Sequence, residues 1–523
     1  MAPSSPPQPI GLENTAGAKR ALSSGKPALV WRKVVADSDT PVGAARRLIE
    51  PGRGDFLLES VEGGEVRGRY SLLGLDPDLV FRASHGAAQI NRAWQTDRSA
   101  FEPCDHKDGT NALDELRALA DACRVDLPDD VDNPLPPALA CLVGYFGYET
   151  IGLVETLPRA APSELDLPDL IFVRPTIILV FDGLSDALFC VAPIWEADEP
   201  DLAIAGAGER IDDTLRALVQ PRPPEPRAAP GTSEPLLQPV MAGEDYKALV
   251  ARAKDYILSG DIFQVVLAQR FTCPFTLPPL ELYRSLRRVN PSPFLYFLDL
   301  PGFAIVGSSP EILVRVRDND EGKPEVTIRP IAGTRPRGAS REQDDANQAS
   351  LLADPKELAE HLMLLDLGRN DVGRVAAKGS VEVTDSFTIE RYSHVMHIVS
   401  NVIGELADDK DALDALFAGF PAGTVSGAPK IRACEIIASL EPETRGAYAG
   451  GVGYFAPDGS VDSCIVLRTA VVKDQTMHVQ AGAGIVADSD PDYELAECRA
   501  KASALEAAAR EAVRLASEPG FGQ

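Results

Sequence analysis

The sequence DPKELAEHLMLLDLGRND, residues 354–371, is the stretch from which the fold and the function of this chain are best inferred. Asp354 followed by Pro355 is a typical helix start, because the aspartate can cap the helix and proline suits its first position. The apolar positions recur with the helical period and form one stripe, made of Leu358, Leu362 and Leu365. Gly368 is expected to end this helix.

Two glutamates occupy the first turn of the same predicted helix. Glu357 and Glu360 are three residues apart, so both carboxylates lie on one face. Glu357 also has the spacing of a capping box with Asp354. Neighbouring carboxylates repel each other, and a bound cation would relieve that repulsion. A capped surface helix with a solvated acidic first turn explains the stretch as well, so the stretch alone leaves both interpretations open.

A second helix of this kind begins near the C-terminus, in SDPDYELAECRAKASALEAAAREAV. Asp490 again precedes a proline, and the residues that follow on one face are Glu494, Glu497 and Lys501. If the two helix starts face each other, they offer carboxylate oxygens to a hard cation such as Mg²⁺. Such an ion keeps several waters and bridges to an anionic substrate, so the sequence predicts a magnesium-dependent site.

The composition excludes several classes of partner. The chain of 523 residues carries 51 basic and 78 acidic residues, a net charge of −27, without a basic stripe for nucleic acid. It has no apolar run long enough to cross a membrane and no apolar leader. The eight cysteines form no CxxC pair and no zinc-like spacing with the six histidines. We therefore expect a cytoplasmic protein with free thiols and no nucleic-acid or membrane partner.

Changes in composition predict four segments. Residues 1–26 are rich in Pro, Ser and Gly and are expected to be disordered, and residues 27–219 form an N-terminal lobe. Residues 220–240 are a proline-rich linker or surface loop, and residues 241–515 form a second domain. Within these, 55–81 reads as an antiparallel meander and 303–318 as a hairpin.

Three loops of small residues are predicted at strand ends, at 333–335, 423–430 and 482–484. Their backbone N–H groups can approach an anion closely, while the absence of a Walker or GxGxxG pattern argues against a nucleotide. Arg468 and Lys501 could pair with carboxylates. Together with the glutamates, these features describe a site for a carboxylate-bearing substrate held partly through Mg²⁺.

The same residues carry a family resemblance. PIAGTRPRG, DPKELAEHLMLLDLGRNDVGRV, RYSHVMH, GTVSGAPKIRA, GAYAGGVGYF, CIVLR, QAGAGIV and ECRAKA resemble the chorismate-utilising enzymes, over about residues 242–510. LLES at 57–60 and NPSPFLYF at 290–297 resemble one branch, component I of anthranilate synthase. The resemblance implies an α+β fold: a large sandwich of two antiparallel sheets with outer helices, and an N-terminal lobe packed on the catalytic half.

The resemblance also implies roles for individual residues. Glu360 and Glu497 match direct Mg²⁺ ligands, and Glu357 and Glu494 match residues that hold the waters of the metal. The chorismate-binding positions are Gly333, Thr334, Tyr448, Arg468, Gly482, Ala483, Gly484 and Lys501. Glu311 matches the acid that assists loss of the ring 4-hydroxyl. His397 and Thr424 match further active-site positions, and His397 is linked to pyruvate elimination.

Two positions distinguish related activities within the family. Members that use water as the nucleophile carry lysine where this chain has Gln264, and members that make 4-amino-4-deoxychorismate commonly carry lysine where it has Ala332. Ammonia needs no general base, which suits Gln264. The resemblance therefore implies conversion of chorismate and ammonia to 2-amino-2-deoxyisochorismate, followed by loss of pyruvate to give anthranilate. Aminodeoxychorismate synthase component I and a catalytically silent tryptophan-binding regulator are the alternatives.

The resemblance implies two further partners. No glutaminase nucleophile motif is found in the sequence, so ammonia is expected from a separate glutamine amidotransferase subunit in a hetero-oligomer. L-Tryptophan is expected as an inhibitor at a feedback site between the lobe and the catalytic half. The residues that match that site are Glu59, Ser60, Pro293, Phe294 and Leu295. Phe294 and Leu295 replace the tyrosine and methionine of some relatives.

Overall fold

A computed structural model describes residues 11–62, 66–104, 111–127, 134–229, 234–392 and 395–518. Its architecture is a sandwich of two sheets with twelve strands each, and the paired strands run antiparallel. Side chains from both sheets share the buried core, as Trp31 and Tyr296 of one sheet and Tyr145 of the other illustrate. Helices pack against the sheets. The predicted α+β sandwich is thereby confirmed.

The strands are β1 Ala28–Val35, β2 Asp55–Glu62, β3 Val66–Leu75, β4 Leu79–Ser84, β5 Ala87–Asn91, β6 Glu102–Pro103, β7 Leu142–Phe146, β8 Leu170–Arg174, β9 Ile177–Asp182, β10 Ala187–Ile194, β11 Gln238–Pro239, β12 Gln264–Pro274, β13 Phe294–Leu300, β14 Phe303–Ser309, β15 Ile312–Asp318, β16 Pro324–Ile328, β17 Ile331–Pro336, β18 Glu382–Arg391, β19 Val395–Glu405, β20 Gly427–Ala428, β21 Gly451–Phe455, β22 Val461–Ile465, β23 Thr469–Lys473 and β24 Thr476–Ile485. The α-helices are α1 Thr15–Ser23, α2 Pro41–Leu48, α3 Ala112–Ala122, α4 Pro200–Leu218, α5 Gly243–Leu258, α6 Pro279–Val289, α7 Arg341–Leu352, α8 Pro355–Gly373, α9 Ala412–Gly419, α10 Lys430–Leu440 and α11 Pro491–Ser517. Short 3₁₀ turns span Tyr148–Leu153 and Gly423–Val425.

The two halves of the chain are joined within each sheet. The first sheet runs β1-β10-β9-β3-β2-β13-β14-β23-β24-β12-β11, and β2 of the first half pairs with β13 of the second through Leu57 and Phe297. The second sheet runs β17-β19-β16-β15-β22-β21-β7-β8-β4-β5-β6, and β7 pairs with β21 through Tyr145 and Val452. The N-terminal lobe therefore packs on the second half of the chain through main-chain hydrogen bonds as well as side chains.

Two local predictions of strand pairing are wrong for a shared reason. In 55–81, β2 and β3 do pair, but β4 belongs to the second sheet, where it pairs with β5 and β8. In 303–318, β14 and β15 are likewise in different sheets and form no hairpin. The chain crosses between the sheets at Asp76, which has a positive φ of 51°, and at Pro310. A third crossing lies at Arg468, where φ is 47°.

The N-terminal segment differs in part from its prediction. Residues 1–10 lie outside the described residues, but the disorder predicted for residues 11–26 is wrong over helix α1. Ala18 and Leu22 are buried on that helix, which packs against β1 and α4. In the proline-rich segment, Glu225 bonds to the guanidinium of Arg284 at 2.8 Å, and β11 pairs with β12.

Helix α8, Pro355–Gly373, begins at the predicted residue and ends five residues beyond the predicted end at Gly368. Asp354 accepts the backbone N–H groups of Lys356 at 3.0 Å and Glu357 at 3.4 Å, so the cap is confirmed. The helix continues through Gly368 to residue 373; Gly368 is buried, and an added Cβ there would lie 3.3 Å from Pro330. The stripe is also rotated, since Leu362 is 50% exposed; the buried face is formed by His361, Leu364, Leu365 and Gly368.

Among the described residues, no helix combines the length and apolar character that a membrane span requires. All eight cysteines are free thiols, and seven of them are buried.

Candidate active site and the adjoining cavity

The starts of α8 and α11 lie on either side of one acidic space. Burial, and then repulsion from Glu357, raises the pKa of Glu360; burial, and then repulsion from Glu497, raises that of Glu494. The cations of Lys356 and Lys501 oppose both shifts, so the same two ammonium groups lie near both carboxylates. The structure thus brings the two helix starts together.

Two of the four glutamates are engaged by cations of the protein. Arg335 donates to Glu357 at 2.9 Å and to the helix-capping Asp354 at 2.7 Å. Lys501 lies 2.7 Å from Glu497 and donates to the carbonyl of Gly482 at 2.9 Å. Over the described ranges, no three His, Cys, Asp or Glu side chains converge closely enough to form a complete metal cage.

The donor set nevertheless fits Mg²⁺. This ion is bound through one or two carboxylates, with waters and substrate oxygens as its other ligands, so a full protein cage is not required. Glu360 and Glu494 are crowded carboxylates whose pKa values are raised by burial and by an acidic neighbour. A divalent cation between the helix starts would favour their ionised forms.

Gln264 lies at the edge of this acidic space. Its amide nitrogen donates to Glu360 at 3.3 Å, while its oxygen is buried without a hydrogen-bond partner among the described residues. Gly484 lies beside it, and an added Cβ there would lie 2.6 Å from that amide nitrogen, so a larger residue would displace the Gln264 side chain. A buried unpaired amide oxygen is an acceptor available to a ligand with N–H groups.

The glycines predicted as loops at 333 and 482–484 lie inside strands. Gly482 and Gly484 share one face of β24, and an added Cβ on Gly482 would lie 2.8 Å from the Tyr448 hydroxyl. Ala483 points to the other face and is buried in the core. Gly333 and Thr334 lie in β17 at a register shift opposite β19. The prediction of loops is therefore wrong, but the close approach of backbone to the site is retained.

Glu311 and Arg468 meet where two sheet crossings coincide. Burial raises the pKa of the Glu311 carboxyl to about 8, while Thr424, the Ile331 backbone and Arg468 act in the opposite direction. The Thr424 hydroxyl is buried and makes no hydrogen bond of normal geometry with the described residues. Burial lowers the pKa of Arg468, whose side chain forms no ion pair with any described residue. At neutral pH the site thus presents a protonated acid beside a cation free to bind an anion.

His397 is held from its Nδ1 side. That nitrogen lies 3.1 Å from the Gly333 carbonyl oxygen and 3.0 Å from the Thr334 hydroxyl. A carbonyl only accepts, so Nδ1 carries the proton and Nε2 keeps its lone pair. Burial lowers the pKa of His397 to about 4, and the ring is therefore neutral at physiological pH.

The residues predicted for the feedback site line one cavity of about 860 Å³. Strand register brings them together, because Leu295 of β13 pairs with Glu59 of β2. Glu59 is fixed by Tyr283, whose hydroxyl donates at 2.6 Å, and by Arg287, which donates at 2.9 and 2.8 Å. The five predicted residues in the wall are Glu59, Ser60, Pro293, Phe294 and Leu295.

The sequence did not predict the remaining residues of this cavity wall. It also did not predict a buried ion pair behind the candidate active site. The cavity is also lined by Tyr70, Arg315, Arg317, Arg329, Glu390, Tyr392, Tyr454 and Asp462. Behind the site, Arg445 pairs with Glu441 and donates to the carbonyls of Val425 at 2.8 Å and Val266 at 2.7 Å. The motifs CIVLR and GAYAGG lie close in sequence to some of these residues. No local pattern, however, distinguishes a cavity-wall residue from a member of the buried ion pair.

Comparison with known proteins agrees with this geometry. Residues 56–507 match the family described as chorismate binding enzyme. Anthranilate synthase component 1 of Cereibacter sphaeroides is 52% identical over 506 residues, which cover 96% of this chain and 99% of the relative. This chain therefore belongs to the chorismate binding enzymes, in the branch of anthranilate synthase component 1.

Solved structures support the same placement. The crystal structure of anthranilate synthase component I from Streptococcus pneumoniae TIGR4 aligns with a TM-score of 0.71 and 34% identity, over 84% of this chain and 92% of that one. The menaquinone-specific isochorismate synthase from Escherichia coli shares the fold, with a TM-score of 0.67 at 20% identity, over 95% and 98% of the two chains.

Proposed function

We propose that this chain is the synthase component of an anthranilate synthase, which converts chorismate and ammonia to anthranilate and pyruvate. The observation that carries the proposal is the buried Glu311, whose pKa of about 8 keeps it protonated at neutral pH beside the unpaired cation of Arg468. Two further observations support the proposed function: the chain belongs to the chorismate binding enzymes, and residue 264 at the edge of the site is glutamine.

Glu311 would act as the proton donor to the ring 4-hydroxyl. Hydroxide is a poor leaving group, so a general acid must convert it to water as the carbon–oxygen bond breaks. Arg468 would bind a substrate carboxylate, because its guanidinium is buried and makes no ion pair among the described residues. Thr424, whose hydroxyl lies near Glu311 but makes no hydrogen bond of normal geometry with the described residues, could donate to the same substrate.

Gln264 would favour ammonia as the nucleophile. Ammonia brings its own lone pair and needs no base, whereas its N–H groups can donate to the buried and unpartnered amide oxygen of Gln264. Attack on the ring displaces the 4-hydroxyl as water and shifts the double bonds, giving 2-amino-2-deoxyisochorismate. The first step therefore needs the protonated Glu311 and no proton acceptor on Gln264.

His397 would serve the second step, in which pyruvate is lost. A neutral imidazole with a free Nε2 can accept the ring proton whose removal makes the ring aromatic. The carbon–oxygen bond to the enolpyruvyl group breaks, and that group leaves as pyruvate after gaining a proton. The Gly333 carbonyl and Thr334 hydroxyl would hold the imidazole in the required tautomer.

Mg²⁺ would be held by Glu360 and Glu497, with Glu357 and Glu494 binding its waters, and when bound it offsets negative charge on the substrate carboxylate. Lys501 and the backbone at Gly482 would position the substrate beside these glutamates.

The proposal includes partners and regulation. Ammonia would come from a glutamine amidotransferase subunit, in keeping with relatives named as component 1. L-Tryptophan would bind the cavity of about 860 Å³, whose wall combines aromatic rings with charges of both signs, as a zwitterionic aromatic amino acid requires. The eight free thiols suit a cytoplasmic location.

The test uses the purified chain with chorismate and Mg²⁺, supplied with either an ammonium salt or glutamine. We expect anthranilate fluorescence with ammonium and none with glutamine, and equal amounts of pyruvate. Aminodeoxychorismate as the product would transfer the chain to the sister activity despite Ala332. Chorismate left intact under both conditions would support the silent regulator instead.

A further inference from the structure

The catalytic imidazole and the cavity share one strand edge. In the register of the second sheet, His397 of β19 pairs with Thr334 of β17 on one side and with Glu390 of β18 on the other. Side chains of directly paired residues lie on the same face of a sheet. Thr334 bonds to the imidazole, so the ring is flanked by a substrate-site hydroxyl and by a carboxylate that lines the cavity.

Tyr392 contacts both the His397 imidazole and the cavity. Its ring makes an edge contact with the His397 ring, with centroids 5.6 Å apart, and its hydroxyl donates to Glu390 at 2.8 Å. Tyr392 itself is buried and is part of the cavity wall. Arg329, a third wall residue, forms an ion pair with Glu390. One connected group therefore touches the cavity on one side and the imidazole on the other.

We propose that Tyr392 and Glu390 are positioning residues through which an occupant of the cavity changes the placement of His397. The inference rests on the proposed function, because it explains how tryptophan in the cavity would act on pyruvate elimination. It adds a specific route: the occupant acts on the Arg329–Glu390–Tyr392 group, and that group acts on the imidazole.

The strand that carries these residues is suited to the role. Strand β18 pairs with β19 alone among the described strands, and most of its residues are exposed. Phe387, in the middle of the strand, has a positive φ of 53°, and the register shifts twice along the pair. A zwitterionic ligand offers a carboxylate to Arg329 and an ammonium to Glu390, so it competes with the ion pair that holds the end of the strand.

The experiment measures coupling rather than activity alone. For wild type and variants, kcat for anthranilate formation and KM for chorismate are determined with and without saturating tryptophan, and the ratio of the two kcat values gives the coupling to the step at His397. The Kd of tryptophan is measured by calorimetry in parallel. Tyr392→Phe removes the hydroxyl bond and keeps the ring, Glu390→Gln weakens the ion pair, and Glu382→Gln makes the same change at the exposed start of β18 as a control.

We expect the coupling ratio to fall at least about fivefold in Tyr392→Phe and Glu390→Gln, while the tryptophan Kd changes less, since typical coupling factors are about 5–150. Glu382→Gln should keep the wild-type ratio. A second readout is the His397 ring resonance in protein labelled at its six histidines, which should shift on tryptophan addition in wild type and less in Tyr392→Phe.

The possible outcomes distinguish the positioning role from the effector site and from the proposed catalysis. Variants that keep the full coupling ratio and the full His397 shift would overturn the positioning role and leave the proposed function intact. A wild-type chain that does not bind tryptophan would overturn the effector site and the positioning role together. A wild-type chain that binds tryptophan but makes no anthranilate would overturn the proposed catalysis, and the His397 shift alone would then test the contact.

Discussion

The candidate active site and the cavity adjoin each other, yet their charged residues differ in how far they are paired. At the active site, Glu311, His397 and Arg468 are buried with few ionic partners, and burial displaces the pKa of each one. In the cavity, the charged wall residues are paired, as in Arg287 with Glu59 and Arg317 with Asp462. We interpret the groups with few partners as those that perform chemistry, and the paired groups of the cavity wall as a surface for recognition.

The two regions are also built from different parts of the chain. The candidate catalytic and binding residues all lie in the second half of the chain, between Gln264 and Lys501, while the cavity needs β2 of the first half beside β13 of the second. A change at the active site should therefore alter turnover strongly, and a change in the cavity should alter regulation moderately.

The largest effect is expected from Glu311→Gln. Loss of the general acid should lower the rate of anthranilate formation by about 10²–10⁴, measured by fluorescence, because protonation of the leaving group contributes that much. In the wild type, the rate should fall as pH rises through about 8, where Glu311 ionises. The same substitution at exposed Glu382 should leave the rate nearly unchanged, and an active Glu311→Gln enzyme would remove the acid role.

The folding stability of the same variant gives a second test of Glu311. The raised pKa means that the folded chain holds a proton that the unfolded chain has released, so wild-type stability is retained below the ordinary carboxyl pKa and falls as pH rises toward about 8. Glu311→Gln should lack this loss and melt at a higher temperature than wild type near pH 8. Equal melting temperatures across that range would show that the carboxyl is not buried.

The acidic helix starts should show an effect of intermediate size. Glu360→Gln should raise the Mg²⁺ concentration for half-maximal rate by about 10–100-fold, as expected when a metal-binding group is weakened. Calorimetric titration of Mg²⁺ provides a readout that does not depend on turnover. Asp366→Asn, on the exposed side of the same helix, is the matched control, and an identical Mg²⁺ response in both variants would contradict the metal assignment.

A smaller change is expected in the cavity. Ser60→Ala should raise the tryptophan concentration for half-inhibition about three- to tenfold, because one hydrogen bond contributes about 0.5–1.5 kcal/mol. The rate assay is repeated across a tryptophan series, with exposed Ser503→Ala for comparison. Unchanged inhibition in Ser60→Ala would place the effector elsewhere.

The smallest effect tests backbone approach at the active site. Gly482→Ala should lower stability by about 1–3 kcal/mol, because the added Cβ would lie 2.8 Å from the Tyr448 hydroxyl and 2.9 Å from the Leu267 carbonyl. Gly206→Ala, within α4 and with no atom inside 4 Å, should instead raise stability by about 0.5–1 kcal/mol. Thermal melts of both variants measure the contrast, and a stable Gly482→Ala protein would contradict the close packing.

The same contrast explains what could be predicted from the sequence. The helix start at Asp354 could be predicted, because capping depends on neighbouring residues alone. The continuation through Gly368 could not, because the burial of Gly368 against Pro330 involves a distant segment that local residues do not reveal. The hairpin expected at 303–318 failed for a similar reason, since alternation of apolar residues does not show which sheet a strand joins.

Contacts between side chains that are distant in the sequence likewise cannot be predicted from local sequence patterns. The motif residues of the site are contiguous enough to be matched in sequence, and the structure brings Gln264 to Glu360 and Thr334 to His397. The positions of Glu390 and Tyr392 beside the same imidazole follow from strand register and could not be foreseen.

The most direct test of the central claim, that one region catalyses and the other recognises tryptophan, is calorimetric titration of tryptophan into Glu311→Gln. We predict that this variant binds tryptophan with the wild-type affinity although it forms almost no anthranilate. We also predict that chorismate and tryptophan do not compete for a single site. Loss of tryptophan binding in Glu311→Gln, or simple competition between the two ligands for one site, would contradict the separation of the two regions.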